Sequence, residues 1–416
     1  MPSNQVYYVT QRRSEIVILA NTLKIELSNR VQRVKPSPTL AVTARARELR
    51  AAGKDVIGLG AGEPDFDTPD HIKAAAIQAI NDGQTKYTAV DGTPELKQAI
   101  VDKFARENAL KYDSKQILVT AGGKQGFYNL AQALLNPGDE VIIPAPYWVS
   151  YPDMVLLADA KPVIISADMK QGFKITPEQL DAAITAKTRF VVLNSPSNPT
   201  GVAYTNEEMK QLGEVLLKHP HVLVVTDDIY EHILWSQDSF SNIINVCPEL
   251  YERGIVLNGV SKAYSMTGWR IGYAAGPADL IGAMKKIQSQ STSNPASISQ
   301  AASVAALNGD QSFMKEATKV FKERHDLVVG ELNKIEGVTC LKSDGTFYAF
   351  PDFQTVIEKR AGINDDVALA EALIEHAGVA LVPGSAFGAP GHLRLSYATS
   401  TENLHAALQR LQDFLQ

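Results

Sequence analysis

The sequence comprises 416 residues, of which 45% are hydrophobic and 21% are charged, so a folded protein with room for two domains is expected rather than a disordered chain. The formal net charge of -6 excludes the broad basic field that non-specific nucleic-acid binding requires. We therefore expect no nucleic-acid partner, and small molecules or further copies of the chain as the partners.

The N-terminal stretch MPSNQVYYVTQRRSEIVILANTLKIEL contains the short apolar run IVILA, from which Glu15 separates Arg12 and Arg13. No small-residue cleavage site follows, so the pattern is not that of a secretory signal. No apolar run in the sequence reaches the ~20 residues needed to cross a bilayer. We expect no membrane partner and a cytoplasmic location, and we interpret residues 1–65 as an N-terminal extension, an arm and part of a small domain.

Short β-rich apolar runs alternate with helical periodicity through the middle of the chain. The runs QILVTAGGK, EVIIPAPYW, RFVVLNSPSNPTG, HVLVVTDDIY and GIVLNGVSK all stop at polar or glycine residues, and stretches such as QGFYNLAQALL and NEEMKQLGEVLLK lie between them. This alternation predicts an α/β fold with a mostly parallel central sheet and flanking helices. We assign residues 66–310 to this large domain, whose ligands should bind beyond the carboxyl ends of the strands.

The last part of the chain, residues 311–416, has a different pattern. Long charged helical segments enclose the short strands TFYAFPDF, VALVPG and HLRLSYAT, which predicts a smaller α+β domain. The segment LAVTARARELRAAGKDVI near the start is expected to complete it, so this domain would be built from both chain ends. Cys247 and Cys340 lie far apart without a CxxC or Cys/His cluster, so we expect buried thiols and no metal site.

Two cations in VSKAYSMTGWRIG follow directly on the apolar run GIVLN. A lone lysine is usually exposed, but Lys262 lies in a turn of small residues, and a desolvated lysine has a lowered pKa and can form a Schiff base with a carbonyl. Arg270 could form an ordinary salt bridge, or its planar fork could bind a phosphate. Together they describe a site for pyridoxal phosphate.

The segment SKAYSMTGWRIGY resembles the active-site lysine segment of the class I, fold-type I pyridoxal-phosphate aminotransferases, specifically their bacterial aspartate aminotransferase branch. The resemblance extends over nearly the whole chain through SNRVQRVKPSPTLAV, GAGEPDFDTP, KYTAVDGTPELK, AGGKQGFYN, PYWVSYPDM, NSPSNPTG, DDIYEHI, GTFYAF and HLRLSYATS. It implies a fold-type I PLP-transferase, pyridoxal 5'-phosphate as the cofactor, amino-acid and 2-oxo-acid substrates, and a homodimer with shared active sites. The implied reaction is a ping-pong transfer from L-aspartate to 2-oxoglutarate, with Lys262 as the catalytic residue.

The phosphate of such a cofactor would meet the AGGK turn that begins an amphipathic helix. Free backbone N–H groups at Gly122, Gly123 and Lys124 favour an anion there, together with Arg270. The resemblance adds Ser261, which precedes the lysine, and Tyr87 of KYTAVDG, which would reach over from a second subunit.

The remaining cofactor contacts lie at other strand ends. A carboxylate must keep the pyridine nitrogen protonated, and Asp227 closes the strand VLVVTD, with Asp228 as its neighbouring alternative. The resemblance selects Asp227. It also implies that Asn198 and Tyr230 meet the phenolic oxygen and that Trp148 covers one face of the ring.

An amino-acid substrate brings a carboxylate that an arginine binds best through two parallel hydrogen bonds. Arg394 lies between apolar residues of HLRLSYA, an unlikely place for a free surface arginine, and the backbone of Gly62 would lie beside the same carboxylate. The resemblance implies the following substrate-binding residues: Gly62, Trp148, Asn198, Arg394, Lys124, Ser37 and Thr39. Of these, Lys124, Ser37 and Thr39 would meet the distal carboxylate of aspartate.

Three alternatives stay open from the sequence. Some relatives with these motifs transaminate prephenate, so a glutamate/aspartate–prephenate or aromatic aminotransferase is the first. A pyridoxal-phosphate lyase or synthase on the same fold is the second, because a fold does not fix a reaction. A cofactor-free binding protein is the third, and the presence of Lys262, Asp227, Arg270 and Arg394 speaks against it.

Overall fold

The computed structural model describes residues 25–36, 38–237 and 239–416. The predicted N-terminal extension as far as residue 24 and the substrate-binding candidate Ser37 lie outside the described residues.

Within the described residues the strands are β1 (Ile57–Gly58), β2 (Ile117–Thr120), β3 (Glu140–Ala145), β4 (Lys161–Ser166), β5 (Thr188–Asn194), β6 (Leu223–Asp227), β7 (Gly254–Gly259), β8 (Gly272–Ala275), β9 (Tyr348–Ala349), β10 (Val379–Ala380), β11 (Val382–Pro383) and β12 (Leu393–Ser396).

The α-helices of the same residues are α1 (Asn29–Gln32), α2 (Pro38–Ala51), α3 (Asp70–Asn81), α4 (Pro94–Glu107), α5 (Gly123–Leu134), α6 (Ser150–Leu157), α7 (Pro177–Ala183), α8 (Asn206–Lys218), α9 (Ile243–Val246), α10 (Ala278–Ser289), α11 (Ser297–Asn308), α12 (Ser312–Leu332), α13 (Gln354–Lys359), α14 (Asp366–Ala372) and α15 (Thr401–Leu415). A π-helical turn, Leu373–Ala377, continues α14.

A seven-stranded sheet in the order β2-β8-β7-β6-β5-β3-β4 forms the centre of the described chain. Its strands are parallel except β8, which runs antiparallel to both β2 and β7. Successive side chains point to opposite faces, so Leu118 and Val119 enter two different apolar clusters, as do Val192 and Leu193. Helices cover both faces, which explains why these strands read as continuous apolar runs. The predicted α/β fold with a mostly parallel sheet is confirmed.

The smaller α+β part is built from both chain ends, as predicted. Strands β11, β12 and β9 form an antiparallel sheet, and β1 near the start of the chain pairs in parallel with β10 near its end. A separate apolar cluster that includes Phe321, Leu369 and Leu404 lies beneath helices α12, α14 and α15. The domain boundaries after residues 65 and 310 stay predictions.

Local sequence explains where these elements start and stop. Helix α8 begins with a capping box, in which the side chain of Thr205 accepts from Glu208 N and Glu208 bonds back to Thr205.

Cys247 and Cys340 are buried free thiols. Among the described helices, none has the length and apolar character needed to cross a membrane.

The parallel strands place polar groups at one edge of the sheet. Strand β5 ends at Asn194, β6 at Asp227 and β7 at Gly259, and the turn after β2 leads directly into helix α5. In sheets of this type the carboxyl edge is where ligands bind. The cavity described next lies at this edge.

Candidate active site

A cavity of about 470 Å³ lies at the carboxyl edge of the central sheet and reaches to β12 of the smaller part. Most of the site residues predicted from the sequence line it: Thr39, Gly62, Gly123, Lys124, Trp148, Asn198, Asp227, Tyr230, Ser261, Lys262, Arg270 and Arg394.

Lys262 follows β7 and extends into this cavity. Its Nζ donates a hydrogen bond to the carbonyl oxygen of Gly62 over 2.6 Å. Burial lowers the pKa of Lys262 to about 8, and the positive charge of Arg394 acts in the same direction. About a tenth of the amine is therefore uncharged at pH ~7, whereas the uncharged fraction of an exposed lysine is below about 0.1%.

An anion-binding cup lies at the N-terminus of α5. Gly122 caps this helix with φ +85°, a conformation that favours glycine, and a Cβ atom placed there would displace the Arg270 guanidinium from its present position. Arg270 donates to the carbonyl oxygens of Thr267 at 2.9 Å and Ala121 at 3.3 Å. No carboxylate of the described residues forms a salt bridge with Arg270, and the helix N-terminus adds positive potential.

Lys124 extends from the first turn of α5 toward the aromatic wall of the cavity. Its Nζ lies 5.1 Å from the ring centroid of Trp148, within the range of a cation–π contact. Burial, followed by the charge of Arg270, lowers the pKa of Lys124. The Trp148 ring also packs edge-on against Tyr151 at 5.2 Å.

The two adjacent aspartates at the end of β6 have different surroundings. Asp227 lines the cavity and accepts a hydrogen bond from the hydroxyl of Tyr151, and burial raises the pKa of Asp227 to about 6. Asp228 is fully buried beside the sheet and accepts from Asn242 Nδ2 at 2.7 Å. The geometry therefore brings Asp227 to the cavity and leaves Asp228 bonded within the fold.

Arg394 is the most deeply buried arginine of the described chain, with 2% of its surface exposed. Its Nη1 donates to Asn198 Oδ1 at 2.7 Å and its Nη2 to the carbonyl oxygen of Gly60 at 2.8 Å, whereas Nε has no partner among the described residues. The guanidinium also lies over the Tyr348 ring, 4.4 Å from its centroid. A buried cation without a carboxylate partner is costly, so this arrangement fits an anionic ligand.

Tyr230 and Gly62 complete the wall near Arg394. The hydroxyl oxygens of Tyr230 and Tyr348 are 2.9 Å apart, within hydrogen-bond distance. A Cβ atom on Gly62 would lie 2.8 Å from the Tyr348 hydroxyl oxygen. Glycine at position 62 therefore permits the close approach of its loop to this tyrosine.

Two predicted site residues of the described chain, Gly122 and Tyr87, are absent from the lining of this cavity, although Gly122 directly precedes the lining residue Gly123. Tyr87 is 92% exposed on a loop and is absent from the lining residues of the described chain, and Ser37 lies outside that chain. The predicted role of Tyr87 involves a second subunit, so it stays a prediction.

Sequence reasoning missed several polar groups in or beside the cavity. Glu63, whose Oε2 accepts from Thr267 Oγ1 at 2.9 Å, and Tyr348 both lie in motifs that carried the resemblance, GAGEPDF and GTFYAF. Asn194 is the last residue of β5, so the rule that ligands bind at strand ends could also have identified it from the sequence. Tyr151 also lies in such a motif, PYWVSYPDM, but its hydrogen bond to Asp227 depends on the direction that the fold gives helix α6.

Comparison with known proteins gives consistent results. A family profile described as "Aminotransferase class I and II" matches residues 54–411. An "Aspartate/prephenate aminotransferase" of Nitrosomonas europaea is 58% identical over 396 residues, which cover 94% of this chain and 100% of that protein. The protein of the same name from Cereibacter sphaeroides is 59% identical over 392 residues, 93% of this chain and 98% of its own.

Solved structures agree with the sequence comparison. The crystal structure of the aspartate aminotransferase from Rhizobium meliloti superposes with a TM-score of 0.91 at 52% identity, covering 94% of this chain and 99% of that one. The aspartate aminotransferase from Thermus thermophilus with maleate gives a TM-score of 0.88 at 45% identity, with the same coverage.

Proposed function

The chain belongs to the class I and II aminotransferases, and from this premise we propose that it transfers the amino group of L-aspartate to 2-oxoglutarate, giving oxaloacetate and L-glutamate. It is a pyridoxal-phosphate-dependent aminotransferase acting on amino acids and 2-oxo acids. The observation that carries the proposal is the buried guanidinium of Arg394, which has no acidic partner among the described residues and lines the same cavity as Lys262.

The donors of the cavity fit pyridoxal 5'-phosphate. When bound, this cofactor supplies an aldehyde carbon that bonds covalently to amines and a ring that withdraws electrons from the carbon bearing the amino group. The cavity offers an amine, an anion cup, a carboxylate at a strand end, two neutral hydrogen-bonding groups and a flat aromatic. We assign the cofactor contacts to Lys262, Gly122, Gly123, Lys124, Ser261, Arg270, Asp227, Asn198, Tyr230 and Trp148, with Tyr87 of a second subunit.

Lys262 acts as the covalent anchor and as the general base. Its pKa of about 8 lies close to neutral pH, so Nζ can take a proton from the α-carbon of the substrate and return one. The 2.6 Å hydrogen bond to the Gly62 carbonyl oxygen orients the amine along the cavity wall.

Asp227 holds a proton at the ring nitrogen of the cofactor. Its pKa of about 6 leaves the carboxyl mostly ionised at neutral pH, and the hydroxyl of Tyr151 donates to one of its oxygens and orients it. The cationic ring nitrogen would stabilise the charged form further.

Arg394 binds the α-carboxylate of the substrate through its planar fork. It lies on β12 of the smaller part, whereas Asn198 follows β5 of the central sheet. A substrate held between them connects the two parts of the chain, and their approach would exclude water from the reacting amine.

The distal carboxylate of aspartate lies toward Lys124, Thr39 and Ser37 in this proposal. Lys124 and Thr39 line the cavity, and a flexible ammonium over Trp148 can turn to a carboxylate at little cost.

We also propose a cytoplasmic homodimer with shared active sites, in which Tyr87 crosses between subunits. The buried free thiols of Cys247 and Cys340 are in keeping with a reducing compartment.

A second candidate is transamination of prephenate, which the names of the relatives at 58% and 59% identity favour. The test is to measure kcat/KM of the holoenzyme with aspartate as donor and either 2-oxoglutarate or prephenate as acceptor. Equimolar oxaloacetate and glutamate support the proposal, and a much better reaction with prephenate supports the second candidate. Release of ammonia without an oxo-acid acceptor would instead indicate lyase chemistry.

A further inference from the structure

A loop between α3 and α4, residues 82–93, presents one bare aromatic side chain to solvent. Tyr87 is 92% exposed, the highest value among the large apolar side chains of the described residues. The loop is nevertheless fixed at its start, where Ser297 Oγ donates to the carbonyl oxygen of Gln84 over 2.6 Å. An exposed aromatic side chain on a fixed backbone can contact another molecule with little loss of backbone conformational entropy.

Gln300 on α11 fixes the middle and the end of this loop. Its side chain is fully buried, its Nε2 donates to Thr88 Oγ1 at 3.1 Å and to the Pro295 carbonyl oxygen at 2.9 Å, and its Oε1 accepts from Thr93 N at 2.8 Å. Both amide hydrogens and the amide oxygen are therefore used. A buried amide is tolerated only when it is bonded in this way, so Gln300 specifies one position of the loop.

Gln288 on α10 makes a second anchor of the same kind. It is fully buried, and its Nε2 donates to the carbonyl oxygens of Val90 and Val119, both at 2.8 Å. Its Oε1 accepts from Asn129 Nδ2 at 2.9 Å. Because Val119 belongs to β2 and Asn129 to α5, the loop is tied to the two elements that flank the anion cup of its own chain.

Charge and close packing hold the loop beyond Val90. Asp91 pairs with Lys97 at 2.7 Å and with Lys285 at 2.9 Å. Gly92 has φ +105°, and a Cβ atom there would lie 2.4 Å from Val119 Cγ2, so the backbone packs directly on β2. The loop is thus bonded on both sides of Tyr87, whose ring stays exposed.

We propose that Gln300 and Gln288 are positioning residues for the phosphate site of a second copy of this chain, because they set the place from which Tyr87 reaches it. The inference rests on the proposed function, in which Tyr87 crosses between subunits. Each glutamine then acts in trans, on the active site of the partner. A loop already held in one conformation loses little conformational entropy when it docks, which favours binding of the cofactor phosphate.

The test measures how fast pyridoxal phosphate leaves the holoenzyme after dilution, followed by its absorbance. Gln300→Leu is expected to release the cofactor about tenfold faster, the effect of losing roughly one hydrogen bond to a charged group. Tyr87→Phe should show an effect of the same size. Thr88→Val removes the hydroxyl that accepts from Gln300 and that also donates to the exposed Ala89 carbonyl oxygen, and it tests the same contact in a variant that keeps the buried glutamine.

The control is Gln132→Leu, a partly buried glutamine on α5 whose Nε2 has no hydrogen-bond partner among the described residues. Its release rate should equal that of the unaltered protein. A faster rate in this control would mean that the loss of any buried amide speeds release of the cofactor, and the inference would be overturned.

A hybrid dimer tests action in trans. Differently tagged Gln300→Leu and Lys262→Ala chains are co-expressed, and the hybrid dimer is purified. If the loop acts in trans, one site of this dimer combines Lys262 from the Gln300→Leu chain with the unaltered loop of the Lys262→Ala chain. We expect this site to release the cofactor at the unaltered rate and to give roughly half the activity per dimer, because the other site lacks Lys262. Release as fast as from the Gln300→Leu homodimer overturns the inference.

The outcomes separate the inference from the proposed function. If Tyr87→Phe speeds cofactor release but Gln300→Leu and Thr88→Val do not, the glutamine has no positioning role and the proposed function stands. If Tyr87→Phe has no effect, or the holoenzyme is a monomer, both the inference and the proposed role of Tyr87 are wrong, whereas the aminotransferase activity itself is untouched.

Discussion

Arg394 donates a hydrogen bond from Nη1 to Asn198 Oδ1 over 2.7 Å, although the two residues are 196 positions apart in the sequence. The other terminal nitrogen, Nη2, donates to the carbonyl oxygen of Gly60. Three separate segments thus meet at one buried guanidinium, and the two that do not carry it each offer it a neutral oxygen. A carboxylate is a stronger partner than an amide or carbonyl oxygen, so this arrangement favours binding of a substrate anion.

Arg394→Lys is expected to lower kcat/KM about 100-fold for aspartate, glutamate and alanine alike. The ammonium cannot make the two parallel hydrogen bonds to an α-carboxylate, and that loss is worth about 2–3 kcal/mol. Steady-state kinetics with the three amino acids checks this. Arg410→Lys, an arginine that pairs with Asp55 on the surface, is the matched control and should stay near the unaltered activity. A loss confined to dicarboxylic substrates would contradict the role.

Lys124→Met is expected to lower kcat/KM for aspartate and glutamate about tenfold more than for alanine. The ammonium over Trp148 lines the cavity and would pair with a distal carboxylate, which alanine lacks. The comparison uses the same three amino acids at saturating cofactor, so that loss of phosphate contacts does not enter. An equal loss for alanine would count against the distal role of Lys124.

Substitution of the adjacent aspartates should separate chemistry from stability. Asp227→Asn is expected to lower kcat at least about 100-fold with little change in unfolding, because a neutral amide does not hold the ring nitrogen protonated. Asp228→Asn should keep most of kcat but lower the free energy of unfolding by about 1–3 kcal/mol, since its hydrogen bonds to Thr226 and Asn242 lie inside the fold. The reverse pattern, measured by kinetics and urea unfolding, would exchange their roles.

The stability of the cofactor-free protein should depend on pH through Lys262. Burial lowers its pKa to about 8, so between pH ~8 and ~10.4 the unfolded chain binds more protons than the folded one and the free energy of unfolding rises with pH. Lys262→Met removes this dependence. The difference in free energy of unfolding between Lys262→Met and the unaltered protein should therefore be more favourable to the variant at pH ~7 than at pH ~10.5, by up to about 3 kcal/mol.

Urea unfolding of both proteins at the two pH values measures this difference. Lys286→Met, on the exposed side of α10, is the control and should track the unaltered protein. An equal effect of Lys262→Met at both pH values would show that the amine is not desolvated.

The sequence predicts this fold well where periodicity and strand ends carry the information. Lys262 and Asp227 follow apolar strands and were predicted to lie together because parallel strands end at one edge. Strand β8 was not predicted, because its four residues, one glycine, one tyrosine and two alanines, give no strong signal and only pairing with β2 and β7 forms it.

Contacts that depend on side-chain direction across long separations could not be predicted. The hydrogen bond from Tyr151 to Asp227 requires helix α6 to turn inward, and the AGGK turn does not reveal that the Arg270 guanidinium closes over Gly122. The buried amides of Gln288 and Gln300 read as ordinary polar residues of amphipathic helices. Their role is visible only when the loop packed against them is known.

The most direct test of the account mixes the holoenzyme with aspartate in the absence of any 2-oxo acid. We expect one equivalent of oxaloacetate per subunit, a single change in cofactor absorbance and no further turnover, and none of these with Lys262→Ala. Cofactor that stays bound and unchanged on addition of aspartate, or continued release of ammonia, would contradict the assignment of this cavity to amino transfer from aspartate.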